Sequence, residues 1–155
     1  MHRTGNASSA SSTRREAMQV LGLATPDNIK RLFSEANFED DVKMLRGPET
    51  GLVTVRGRIG GGGAAFNVGE ATVTRASVRL ASGEIGHAYA LGREREKARI
   101  SAIVDALLQR PADADAVEAT ILAPLRAAQS EEVARRKAET AATKVDFFTM
   151  VRGED

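Results

Sequence analysis

Cysteine and tryptophan are absent from the 155 residues, and there are only one tyrosine and two histidines. Without cysteine the chain has no disulfide framework, no thiolate zinc site, no iron–sulfur cluster and no thiol nucleophile. His2 and His87 stand far apart in sequence, whereas a catalytic zinc site takes three protein ligands. No metal ligands are therefore assigned. Ser77, Ser82 and Ser101 lack the strand–turn–helix setting of a nucleophile elbow. Acid pairs such as Glu94/Glu96 and Asp113/Asp115 lie in charge-rich stretches typical of solvated helix ends. No catalytic residue is assigned. A basic excess is missing too: Lys+Arg number 22 against 21 Asp+Glu, a net charge of +1. That balance argues against a nucleic-acid partner, since neutralising phosphodiesters takes a surplus of cations. No segment approaches the roughly 18–20 apolar residues of a membrane span. Residues 1–12 hold no apolar signal-peptide core. These absences predict a cytoplasmic protein without a membrane partner.

What is present is ordinary for a globular chain: 42% hydrophobic and 28% charged residues, at a length that suits one domain. Residues 1–12 are rich in serine and cannot bury enough apolar surface to order themselves, so they are expected as a disordered arm. Residues 13–155 are expected as the domain. Ala17, Val20, Leu21 and Ala24 recur at helical spacing. Thr25-Pro26 then offers an N-cap followed by proline at the first helical position, and Ile29, Leu32, Phe33 and Ala36 line a second helix. The period next shifts to two. Residues 41–46 are a candidate strand ended by the turn signal Gly47-Pro48. In residues 52–59, Val53, Val55 and Ile59 alternate with Thr54, Arg56 and Arg58 as in a half-buried strand. After the glycines 60–63, residues 71–80 alternate again, turn at Ala81-Ser82-Gly83-Glu84, and return through 85–91. Short connections of this kind join antiparallel neighbours. Residues 93–110 place Ile100, Ile103, Val104, Leu107 and Leu108 on one helical stripe. Pro111 ends it, a short helix follows over 115–122, and Pro124 opens a longer one to about 143. The expectation is an α+β fold: a mainly antiparallel four-stranded sheet with N-terminal and C-terminal helices packed on it.

Two stretches invite functional expectations. A glycine-rich loop presents backbone N–H groups to phosphate oxygens without side chains in the way. Gly61 and Gly62, with Arg56, Arg58 and Arg75 on the flanking strands, are candidate ligand-binding residues on that ground. The Lys-Ser/Thr of a Walker loop is missing, and a plain hairpin tip is the competing account. The C-terminus places Phe147, Phe148, Met150 and Val151 within five positions, framed by Asp146 and Arg152. Large apolar groups at a chain end suit docking on a partner, so residues 146–155 are a candidate docking segment.

Three stretches together carry a family resemblance: Gly69-Glu70-Ala71-Thr72-Val73-Thr74-Arg75, Leu91-Gly92-Arg93 through Asp105-Ala106-Leu107-Leu108, and Asp146-Phe147-Phe148-Thr149-Met150-Val151-Arg152-Gly153. Pro48-Glu49-Thr50-Gly51-Leu52 agrees with them. The chain resembles the PhnG family, the G subunit of the bacterial carbon–phosphorus lyase core complex, from about Arg14 to its end. Gly62, Asn67 and Glu70 stand where the family often has threonine, an aromatic and aspartate. The resemblance implies a required, noncatalytic subunit of a transferase. That enzyme makes alpha-D-ribose 1-methylphosphonate 5-triphosphate from ATP and methylphosphonate, releasing adenine, in organic phosphonate degradation. It implies the H, I and J subunits as partners, with the L protein for synthase activity. ATP would be a substrate of the assembled complex, with no cofactor in this chain. The alternative is an independent phosphate- or phosphonate-binding module without catalytic activity.

Overall fold

The structure, a computed structural model, describes residues 6–38, 41–58 and 63–142, with side chains in the first stretch from Arg14 onward. Helix α1 (Asn6–Leu23) has a backbone that begins inside the serine-rich stretch expected as an arm, earlier than the expected start at Thr13. Helix α2 (Pro26–Ala36) starts as its sequence dictates. The Thr25 Oγ1 accepts from the Asn28 N–H at 3.3 Å, and Pro26 takes the first turn, where its missing N–H costs nothing. Asn37 closes it in the left-handed conformation (φ 45°), which asparagine tolerates better than other side chains.

The sheet has three antiparallel strands in the order β1 (Val42–Gly57), β2 (Phe66–Leu80) and β3 (Ile85–Leu91), not the expected four. The two expected N-terminal strands are one. Gly47-Pro48 does not turn the chain. The register against β2 slips between Met44 and Arg46 and again between Arg46 and Glu49, so bulges absorb the pair. Proline is tolerated there because β1 is the edge strand of the described sheet, with one row of N–H groups facing no neighbour among the described residues. The β2–β3 turn forms as expected at residues 81–84. The Gly83 N–H donates to the Leu80 carbonyl at 2.9 Å, and the Leu80 N–H donates to the Glu84 carbonyl at 3.0 Å. Gly83 has φ +108°, open to glycine at no steric cost.

Helix α3 (Arg95–Leu107) is the middle layer. Its spacing predicts one apolar stripe, but it is buried nearly all round, from Lys97 and Ala98 through Ile100–Leu107. The helix face of the sheet meets one side through Thr74, Ala76, Val78 and Leu80 of β2 and Gly86, Ala88 and Ala90 of β3. On the other side lie α1, α2 and the C-terminal helices. A Cβ on Gly86 would stand 1.9 Å from the Ala102 carbonyl oxygen and 2.6 Å from the Ala106 nitrogen, so helix and strand backbones pack in direct contact. Helix α4 (Pro111–Val117) runs through a π turn (Glu118–Leu122) into α5 (Ala123–Ala142). Pro124 thus lies inside a continuous helical run rather than opening a separate helix. Opening of the hydrogen-bond ladder just ahead of it accommodates a residue without an N–H. Ile121, Leu122 and Leu125 close the core from this side. No helix among the described residues is long and apolar enough to cross a membrane.

Candidate functional site

Strand periodicity sends alternate residues of the sheet to opposite faces. One face is sealed by α3. The other is bare. Its rows follow from the register: Tyr89 beside Arg75 beside Glu49, and Leu91 beside Val73 beside Gly51. The Arg75 guanidinium donates to Glu49 Oε2 at 3.2 Å, and Arg46 approaches the same oxygen at 3.7 Å. Arg75 is pushed up from the ordinary guanidinium value, first by its hydrogen bond with Tyr89 and then by Glu49. The missing side chain of Gly51 leaves a shallow hollow of about 160 Å³ bounded by Val53, Val73, Arg75 and Tyr89. Beyond the end of β3, residues 52–57 and 66–72 continue as a two-stranded ribbon.

The expected ligand-binding arginines do not converge. Arg75 pairs opposite Glu49 in mid-sheet, while Arg56 lies opposite Asn67 and donates to the Ala65 carbonyl at 3.1 Å. Eight residues of β2 separate the two sites, roughly 26 Å along an extended strand. Arg58 is exposed just past the end of β1. Gly61, Gly62 and the docking candidates Asp146, Phe147, Phe148, Met150, Val151 and Arg152 lie outside the described residues. The expectation that Val53 and Val55 line the buried side of a strand is corrected: both are exposed, because β3 stops short of them and no helix among the described residues covers that face.

Ser77 and His87 meet across β2 and β3, with the Ser77 Oγ 2.8 Å from the His87 Nδ1. Among the described residues no carboxylate bonds that imidazole, so the third group that would orient a base is lacking. No cluster of three or more potential metal ligands occurs among the described residues. Two polar groups missed by sequence reasoning are structural. Asp105, 1% exposed, accepts two hydrogen bonds from Arg14 at 2.6 Å and one from the His87 N–H at 2.8 Å. Lys97 donates to the Gly22 and Ala24 carbonyls at 2.7 Å, capping the end of α1, and burial lowers its pKa. The available sequence signal was a charge inside the apolar pattern of α3.

The geometry therefore offers surfaces to bind with and no assembled catalytic constellation among the described residues. Residues 12–153 match the model of the family described as phosphonate metabolism protein PhnG. A relative from Rhizobium meliloti (strain 1021), named alpha-D-ribose 1-methylphosphonate 5-triphosphate synthase subunit PhnG, is 54% identical over 143 residues. The match covers 92% of this chain and 90% of the relative.

Proposed function

The chain belongs to the PhnG family of phosphonate metabolism proteins, and from that premise we propose that it is a subunit of an alpha-D-ribose 1-methylphosphonate 5-triphosphate synthase. The single observation that carries this is 54% identity to a subunit of that name along nearly the full length of both chains. The assembled enzyme joins ATP to methylphosphonate and releases adenine. This chain contributes a required surface rather than the reacting groups. Its partners are the H, I and J subunits of the carbon–phosphorus lyase core complex, with the L protein for synthase activity, in the cytoplasm. It holds no cofactor of its own. The bare sheet face and the apolar C-terminal sequence support the subunit role, because a free monomer has little use for either.

The test is reconstitution. The chain is co-expressed with the H, I and L proteins, the complex is isolated by size exclusion, and adenine release from ATP plus methylphosphonate is followed. Adenine appears when all components are present and stops when this chain is left out. Undiminished release without it overturns the proposal.

A further inference from the structure

Two-stranded ribbons are at best marginally stable in water when nothing covers them. This one is nevertheless regularly paired from Thr50↔Thr74 to Val55↔Gly69, with a bulge at Val68 before Arg56↔Asn67. The register places Val53, Val55 and, past that bulge, Phe66 on the same bare face as Tyr89 and Leu91. All five are exposed, Tyr89 at 62% and Leu91 at 72%. A contiguous apolar strip of this kind marks an interaction surface rather than chance scatter. The outer edge of β1 tells the same story. Its root is blunted by two bulges and Pro48, the usual defences against edge pairing. From Thr50 to Val55 it carries no such defence.

Charge selects the occupant. The register places Lys43, Arg46, Arg75 and Arg79 on the bare face beside the strip, where Arg46 and Arg75 share the one carboxylate of Glu49. Glu49 is the one acid that the paired strands present on this face among the described residues, while Arg56 opposes Asn67 on the reverse face of the ribbon. A second copy of the chain would bring the same net-positive surface against itself, which disfavours self-association. We propose that the bare face around Gly51 docks a partner subunit that inserts an apolar side chain into the hollow and presents carboxylates to the lysine and arginines of this face. The inference rests on the subunit role above and adds to it where, and by what chemistry, the contact is made.

Gly51→Phe is the discriminating variant. A Cβ at Gly51 meets no atom within 4 Å, and its φ lies outside the left-handed region. Aromatics are favoured in strands, so the free chain keeps or raises its melting temperature while the hollow is filled. Recovery of this variant in the reconstituted complex falls by about tenfold or more, as for loss of a central anchor. The double variant Lys43→Glu/Arg79→Glu also weakens recovery, and increasingly so as salt is lowered. Hydrogen exchange on the wild type shows residues 50–57 and 66–73 protected in the complex and not in the free chain.

Normal assembly of Gly51→Phe, or unchanged exchange of the ribbon in a complex that does form, overturns the inference and leaves the subunit role standing. Ribbon protection in the free chain that grows with concentration identifies a second copy as the occupant. Protection in the free chain that vanishes when 146–155 are deleted identifies the chain's own end. Either result overturns the inference. If the wild-type chain joins no complex at all, the subunit role fails and this contact fails with it.

Discussion

A single carboxylate, Asp105, ties three elements: it receives Arg14 from α1 and the His87 N–H from β3 while sitting in α3. Replacing it by alanine leaves a buried N–H without an acceptor and a guanidinium without its counter-charge. Breaking a buried pair from one side costs about 3–5 kcal/mol; because Arg14 is 43% exposed, the expected loss is the lower figure, read from urea midpoints of wild type and Asp105→Ala. Asp105→Asn retains an acceptor and should lose less. A second effect depends on pH. The hydrogen bond from Arg126 holds Glu118 below the usual glutamate range. A depressed folded value means that the stabilisation is complete above the unfolded value and disappears as pH falls through the folded one. The pair is exposed, so Glu118→Gln should cost at most about 1 kcal/mol at neutral pH. Urea titrations repeated in strong acid should show no difference from wild type. The roles of Asp105 and Lys97 were not legible in the sequence, because an Asp or Lys within an apolar pattern looks the same whether it faces water or a buried partner. Family motifs, by contrast, were legible residue by residue.

Elements were legible where local rules decide them and illegible where neighbours do. The Thr25-Pro26 cap, the alternation of 71–80 and 85–91 and the turn between them depend on the chain's own chemistry, and all appear. Gly47-Pro48 signals a turn in isolation; only the position of β1 at a sheet edge lets the strand run through it. The stripe on α3 reveals one buried face, but not that a second layer covers the other. For the same reason the candidate docking face escaped notice: the spacing of Val53 and Val55 shows two faces without showing that neither is covered. Direct contact of α3 with β3 makes a definite prediction. Gly86→Ala forces a methyl into the Ala102 carbonyl and cannot be accommodated by rotating a side chain. Overpacking of this kind costs about 1–3 kcal/mol or more, so Gly86→Ala should melt well below wild type by circular dichroism. Gly51→Ala, on the bare face, should not.

At the scale of the molecule, the layers of the described residues are unequal: a sheet with one bare face, a helix enclosed on both sides, and an outer tier of helices. The described core joins all these elements, from Ala17 to Leu125. Deleting residues 146–155 should therefore leave a soluble, cooperatively melting chain that no longer enters the complex. Size exclusion with the partner subunits, beside a thermal melt of the chain alone, separates the two effects; unfolding or aggregation of the truncated chain would place the segment in its own core. The enclosed position of α3 also bears on synthesis. α1, α2 and all three strands precede it in sequence, yet it is the surface against which they bury themselves. While the ribosome adds residues at about 5–20 per second, the three strands can pair with one another, but their helix-facing side with Ala76, Val78, Leu80, Ala88 and Ala90 has no cover. That apolar face should stay open to solvent or to a chaperone until α3 emerges, and the core should close only when Ile121, Leu122 and Leu125 follow it.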